Sequence, residues 1–307
     1  MPPKSKKHFL RVGTDCSGIE APIQALQNLG VPFQHQWSCE IDKFARASIL
    51  ANYEPDILFE DMLERNVADL PDIDLYVCGF PCQSFSVAGY RKGLSDPRGN
   101  LFFKCLEVLE AKQPSFFILE NVRGLLSIHE GTVFPMMLEA LEETGYTVSW
   151  KILNTRDYGV PQNRERVFIV GIHQSLQQTF KFPEPKPTEL EDILEYVEWS
   201  QTTQCRVPSY AENVVERCKK DAVFIDFGYR HPNRSFPNAH RWSCCLVANS
   251  QLWNVPLHRF ATMKELLVLQ GFPPTFNQVV SNTQLKKQIG NSMSVNVLEA
   301  LLEALFR

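Results

Sequence analysis

The chain has 307 residues, of which 44% are hydrophobic and 21% charged, with a net charge of −4. That length suits one large domain or two smaller ones, and the balance excludes both a disordered chain and a strongly basic one that coats nucleic acid without selectivity. No apolar run approaches the ~18 residues of a membrane span, and the N-terminus lacks the apolar core of a signal peptide. Lys4, Lys6 and Lys7 read as a solvated tail, with a weak nuclear-import signal as the alternative. Nine cysteines without a Cys-x-x-Cys pair predict reduced thiols in an intracellular, reducing compartment, cytoplasm or nucleus, with no metal site.

Along the first 172 residues, strand-like and helix-like segments alternate. Strands are expected at 9–16, 36–41, 74–80, 116–119, 148–153 and 167–172, and helices after Gly18, over 44–50, 102–109 and 134–141. This predicts an α/β fold with a largely parallel sheet covered on both faces. Three prolines within 182–187 mark a linker. From 206 to 259 periodicity fails, Lys plus Arg number 8 against 4 acidic residues, and Tyr210, Phe224, Phe227, Tyr229, Phe236, Trp242 and Trp253 are interleaved. That is the footprint of a nucleic-acid surface, although a small domain whose aromatics form its own core would look the same. Helices are expected again at 263–269 and 294–306.

Three segments carry chemistry. In Gly79-Phe80-Pro81-Cys82-Gln83-Ser84-Phe85-Ser86, Cys82 follows a buried strand at the carboxyl edge of the sheet, where open α/β folds bind ligands. A long loop, out to Gly99, is expected over that edge. Cys82 reads as a thiolate nucleophile; Cys78, inside the strand, reads as inert. In Phe116-Phe117-Ile118-Leu119-Glu120-Asn121, an acid and an amide end another buried strand. Desolvation there suits Glu120 to general-acid work, and a helix-capping pair is the plainer alternative. Arg164 and Arg166 enter a strand on one face and can hold a phosphate, a carboxylate or a base carbonyl. A solvated edge pair is the ordinary alternative. Asp15-Cys16-Ser17-Gly18, Glu40 and Asp61 close the early strands without a Gly-x-Gly-x-x-Gly fingerprint, which disfavours a dehydrogenase and favours a nucleoside cofactor without a pyrophosphate.

Pro81-Cys82-Gln83, Glu120-Asn121-Val122, Gln162-x-Arg164-x-Arg166, Leu269-Gln270-Gly271-Phe272-Pro273 and Gly290-Asn291-Ser292, in this order, resemble the DNA (cytosine-5)-methyltransferase family, over nearly the whole chain except 181–257. The resemblance implies a Rossmann-like S-adenosylmethionine-dependent methyltransferase fold with a small, irregular target-recognition domain. Its expected divisions are 1–180 (catalytic and cofactor-binding), 181–258 (target recognition) and 259–307 (returning to the catalytic domain). It implies methyl transfer to C5 of a flipped cytosine in duplex DNA through a covalent Cys82–C6 intermediate. Glu120 would neutralise the ring, Arg164 and Arg166 would hold the pyrimidine O2 and a phosphate, and Asn121 would position Glu120 or the exocyclic amine. The cofactor, S-adenosylmethionine, would lie against Cys16, Ser17, Gly18 and Ile19, with Glu40 on the ribose, Ile41 and Met62 around the adenine and Asp61 on its amino group. Pro81, Leu101, Asn291 and Ser292 would close that pocket. DNA contacts are expected from Gln83, Ser86, Arg98, Arg230, Asn233, Arg234, Arg241 and Arg259, with Asn238 near them, and a monomer is expected.

The chain departs from the pattern where Cys16 replaces an aromatic residue, where Glu20 and Ala21 replace glycines, and where Gly228 is the only glycine between Gly171 and Gly271. The tRNA-methylating branch of the family is disfavoured because its Cys-Phe-Thr tripeptide is missing. A catalytically silent DNA-binding relative is disfavoured because Cys82, Glu120, Arg164 and Arg166 are all present.

Overall fold

The computed structural model describes residues 9–81, 101–186, 223–228, 242–255 and 257–307. In chain order the elements are β1 (Leu10–Asp15), α1 (Ala21–Asn28), β2 (Phe33–Cys39), α2 (Lys43–Asn52), β3 (Ile57–Phe59), β4 (Leu75–Cys78), α3 (Leu101–Lys112), β5 (Phe116–Val122), α4 (Val133–Glu143), β6 (Tyr146–Asn154) and β7 (Glu165–His173). There follow β8 (Phe224–Asp226), β9 (Leu252–Asn254), β10 (Arg259–Phe260), α5 (Met263–Leu269), α6 (Asn282–Asn291) and α7 (Val295–Leu305).

β1 to β7 form one sheet in the order β3-β2-β1-β4-β5-β7-β6. β3 through β5 are parallel, and β7 runs antiparallel to both β5 and β6. The fold is α/β with a mostly parallel sheet, as the alternating pattern predicts. Parallel neighbours need crossovers, and the helices that supply them bury both faces. On one face Ile23 and Leu26 of α1 and Leu298, Leu301 and Leu302 of α7 cover Val12, Val77 and Ile118. On the other, Val108 and Leu109 of α3 and Met137 and Leu141 of α4 cover Tyr76, Phe117 and Ile169. The chain therefore closes on itself, its last helix lying beside its first.

Helix ends follow local chemistry. Asp42 accepts the Phe44 N–H ahead of α2, Ser281 accepts the Gln284 N–H ahead of α6, and Thr262 with Glu265 makes a reciprocal capping box on α5. β8, β9 and β10 form a second, antiparallel sheet. The division expected at 258/259 therefore runs between two paired strands. Phe224, Phe227 and Trp253 are buried, and Trp253 meets Phe260 edge-on at 5.0 Å. These three aromatics build a core rather than a binding surface, which is the plainer of the two expectations for this region. No helix among the described residues is long and apolar enough to cross a membrane.

Strand order reverses between β1 and β4: β2 and β3 lie on one side, β5 and the antiparallel pair on the other. At such a switch point the carboxyl ends of the two central strands splay apart and leave a crevice. Cys16 follows β1 and Gly79 follows β4 at that crevice.

Candidate active site

β5 continues past Leu119 to Val122, so Glu120 and Asn121 lie within the strand. Glu120 pairs with Phe168 and Val122 with Arg166 across the antiparallel junction. Glu120 and Arg166 are therefore diagonal neighbours on one face of the sheet. Their side chains meet, with Arg166 Nε 3.2 Å from Glu120 Oε1. Burial pushes the Glu120 carboxyl above its usual range, by more than Arg166 and Arg164 pull it down. Glu120 Oε2 lies 3.7 Å from where a Cβ on Gly79 would sit, so the turn leaving β4 passes beside the acid.

Asn121 is buried and its amide is committed to backbone: Nδ2 donates to Phe80 O at 2.8 Å and Oδ1 accepts from Val122 N at 2.9 Å. It was expected to position Glu120 or a substrate amine; instead it ties down the Gly79-Phe80-Pro81 turn that leads to Cys82. Cys82 itself, with Gln83, Ser86 and Arg98, lies outside the described residues.

Arg164 also takes a different place from the one expected. Only 2% of it is exposed. Nη1 donates to Leu246 O at 2.7 Å and Nη2 to Ser292 O at 2.7 Å, with Gly290 O at 3.4 Å from both. A buried guanidinium requires acceptors, and here three carbonyls serve its two Nη groups while Nε has none. Burial, then the neighbouring Arg166, lower its pKa to about 10. Arg164 thus joins the start of β7 to the 243–247 segment and the 290–292 turn rather than standing clear for a pyrimidine. Gln162, fully buried, extends the junction: it donates to Leu269 O and Gln270 Oε1 and accepts from Leu246 N. Gln270 in turn donates to Ser292 O at 2.7 Å. Three of the recognised motifs are bound into one hub. Between the two arginines sits the partly exposed Cys245 thiol, 3.5 Å from Arg164 Nη1 and 3.8 Å from Arg166 Nη2. Sequence reading passed over it, because its neighbours are about 80 positions away.

On the other side of the crevice, Glu40 receives the N–H of Gly18 at 2.8 Å and of Asp42 at 2.9 Å. Its carboxyl is pushed upward by burial, which outweighs those two hydrogen bonds. Gly18 has a left-handed φ of 58°, and a Cβ there would meet nothing within 4 Å. The loop therefore has open space over Gly18, while its neighbours Ser17 and Ile19 are packed inward. Ile41, 73% exposed beside Glu40, is an uncovered apolar side chain, while Met62 is buried with its sulfur 3.8 Å from the Cys16 thiol. Asp61 accepts the Leu63 N–H at 2.8 Å. Ser17 and Ile19 are buried, Leu101 is half-buried at the start of α3, and Pro81 is exposed. Asn291 is exposed and Ser292 buried at the end of α6. Asp15 ends β1 beneath this loop, its carboxylate paired with Arg65 and accepting from Tyr76 Oη at 2.6 Å.

Of the DNA contacts expected from sequence, Arg230, Asn233, Arg234, Asn238 and Arg241 lie outside the described residues. Arg259 is described and is a correction. It is 4% exposed, and Nη1 and Nη2 each stand 2.7 Å from a Glu265 carboxylate oxygen. The glutamate that caps α5 has claimed this guanidinium, so it faces the protein and not DNA.

A mostly parallel α/β sheet with a switch point between β1 and β4, a buried Glu120–Arg166 pair beside the turn leaving β4, and Glu40 holding the loop after β1 defines a fold of the doubly wound class. The sequence profile of C-5 cytosine-specific DNA methylases matches residues 15–307. Type II methyltransferase M.NgoBI of Neisseria gonorrhoeae is 37% identical over 268 residues, covering 86% of this chain and 83% of its own length. M.HaeII of Haemophilus aegyptius is 37% identical over 275 residues with the same coverage of both. The solved structure of the S. pombe Dnmt2 methyltransferase superposes with a TM-score of 0.71, at 19% identity and over 97% of this chain and 98% of that one, a likeness of fold. The chain belongs to the DNA (cytosine-5)-methyltransferase family, and it is a methyltransferase of that class.

Proposed function

We propose that the protein methylates C5 of a flipped cytosine in duplex DNA, with S-adenosylmethionine as donor and a transient Cys82–C6 bond. The observation that carries this reading is the Glu120 carboxyl, buried, raised in pKa, paired with Arg166 and flanked by the turn that leads to position 82. Cytosine C5 is a poor nucleophile. A Cys82 thiolate adding to C6 would push electron density onto C5, and the charge that accumulates must be met at N3 and O2. A carboxyl whose ionised form burial disfavours can share a proton with N3. Arg166, held by that carboxyl, would face O2 as a preorganised donor. Arg164, wired to three carbonyls, would hold the recognition segment against the catalytic sheet rather than touch the base. Loss of the C5 proton then expels Cys82 and restores the aromatic ring. The base must first leave the helix; Ser86 and Arg98, expected from the sequence to meet it, lie outside the described residues.

The residues along β1 and β2 fit the donor. Glu40 would take the ribose hydroxyls on the lone pairs left by Gly18 and Asp42. Ile41, Met62 and the Cys16 sulfur would form an apolar wall for the adenine where the family has an aromatic ring, and the space over Gly18 would admit the amino-acid end. When bound, the donor supplies an electrophilic methyl group. The polar residues between 230 and 241 would read the target, with the protein acting as a monomer in a reducing compartment.

The test uses a randomised duplex pool carrying 5-fluorocytosine, whose C5 substituent cannot leave as a proton, together with S-adenosylmethionine. The expected result is a covalent adduct that survives a denaturing gel and is lost in Cys82→Ser. Equal yield from Cys82→Ser refutes the nucleophile, and trapping on tRNA alone moves the substrate.

A further inference from the structure

We propose that Glu20 is a positioning residue for the cofactor loop, a buried carboxylate that fixes the Ser17 hydroxyl through Thr14 and so presets residues 16–19 for S-adenosylmethionine. The inference rests on the cofactor reading above. Glu20 occupies left-handed backbone, φ 61° and ψ 50°, at the N-terminus of α1. That region strains any residue bearing a Cβ and is open to glycine. Its side chain is fully buried, and Oε2 has no hydrogen-bond partner. Two unfavourable features fall on one residue beside a binding loop, where glycine would relieve both. Strain kept in place by its surroundings points to a role.

The hydrogen bonds show what that role is. Glu20 Oε1 accepts from Thr14 Oγ1 at 2.6 Å and from Ser38 Oγ at 2.6 Å. A hydroxyl has one proton to give, so the remaining directions follow. Thr14 Oγ1 accepts from Ser17 Oγ at 2.8 Å, the shortest of that hydroxyl's contacts, with Thr14 O and Cys39 O each at 3.2 Å, and Ser38 Oγ accepts from His35 Nε2 at 2.9 Å. Glu20 Oε1 is thus the sink of two donor chains, one running from Ser17 through Thr14 and the other from His35 through Ser38. With its proton directed at Thr14, Ser17 Oγ is left to accept the Cys39 N–H at 3.1 Å, and the Ser17 N–H reaches Cys39 O at 3.1 Å. The next residue, Gly18, gives its N–H to Glu40. The loop is therefore held by two carboxylates, Glu20 from beneath and Glu40 from the crevice side.

The experiment measures S-adenosylmethionine binding to the full chain by titration calorimetry, alongside thermal unfolding without cofactor. Glu20→Gly removes the acceptor and relieves the backbone, while Glu20→Gln keeps one oxygen able to accept both hydroxyls. Glu20→Gly should weaken binding by about tenfold or more, the scale of one charge-assisted hydrogen bond, and Glu20→Gln by about threefold at most. The loss should appear in KM for the cofactor rather than for DNA, with the melting temperature nearly unchanged. Thr14→Val cuts the same chain and should give the same loss, and the double variant Thr14→Val/Glu20→Gly should be no weaker than either alone. Wild-type affinity in Glu20→Gly, or losses that multiply in the double variant, overturns the proposal. If Glu20→Gly does not fold, Thr14→Val decides by the same criterion. Folded wild-type protein that fails to bind S-adenosylmethionine overturns the cofactor reading itself.

Discussion

Gly290→Ala sets two effects against each other. Gly290 lies in the last turn of α6, and in an exposed helix interior this replacement stabilises by about 1 kcal/mol. Here a Cβ would stand 2.2 Å from Val247 C, 2.4 Å from Val247 O and 2.5 Å from Ala248 N. Those are main-chain atoms and ordinary contact begins near 3.4 Å, so α6 or the 243–250 segment must retreat by more than an ångström. Either movement draws Gly290 O or Leu246 O away from Arg164, now at 3.4 and 2.7 Å. Overpacking costs about 1–3 kcal/mol and a weakened bond to a buried charge about 1.5–3 kcal/mol. Set against the helix gain, the net is a destabilisation of about 1.5–5 kcal/mol. Urea unfolding should show a lower midpoint at an unchanged slope, and kcat/KM should fall because the hub no longer closes. A Gly290→Ala protein as stable as the wild type, or more so, would refute the reasoning, since the recognition segment would then yield without cost.

Burial lifts the Glu120 carboxyl above its ordinary 4.5 in the folded chain. The folded state then keeps a proton that the unfolded chain has released, so stability falls as pH rises from the ordinary value through the lifted one. Glu120→Gln should lessen that fall in pH-dependent melting curves and slow methyl transfer by about 10²–10⁴-fold; unimpaired transfer would remove Glu120 from the chemistry. Glu40 is lifted in the same sense, so affinity for S-adenosylmethionine should weaken on acidification before an ordinary carboxylate would titrate, and a flat calorimetric profile down to pH 4.5 would contradict the ribose assignment. Arg259→Ala leaves Glu265 buried without its partner and should destabilise by about 3–5 kcal/mol. Replacing both, Arg259→Met with Glu265→Leu, should leave the salt dependence of DNA binding as in wild type, and a slope shallower by about one would return Arg259 to the DNA.

The doubly wound sheet was legible because a strand buried on both faces has to be apolar throughout, as in Leu75–Cys78 and in Phe116 to Leu119. β3 was missed: three residues at the sheet edge, one exposed and two half-buried, carry no pattern. α6 was missed because Asn-Thr-Gln-Leu-Lys-Lys-Gln-Ile is mostly polar, although the Ser281 cap and the i, i+4 pair Leu285 and Ile289 were there to be read. That Glu120 and Arg166 share one end of the sheet could be read from the strands that precede and follow them, although β5 runs on through Glu120. The fate of Arg164 could not, since its acceptors are main-chain carbonyls 82 to 128 positions distant, and a carbonyl leaves no mark in a sequence. Arg259 was misread for a related reason. It sits in a basic stretch, but the Thr262-x-x-Glu265 capping signature three residues on was the clue that a carboxylate waited nearby.

β10 lies after the region expected to choose the DNA word, yet it supplies the third strand of the small sheet, pairing Arg259 with Asn254 and Phe260 with Trp253. A chimaera that exchanges this region with a relative therefore needs its downstream junction beyond Phe260. Spliced at 258, the graft would carry a Trp253 that keeps Phe227 but loses its native Phe260 partner, and a strand edge whose pairing depends on foreign residues. The transferable unit is bounded by strand pairing, and engineers who re-aim such enzymes at new words would do well to cut there.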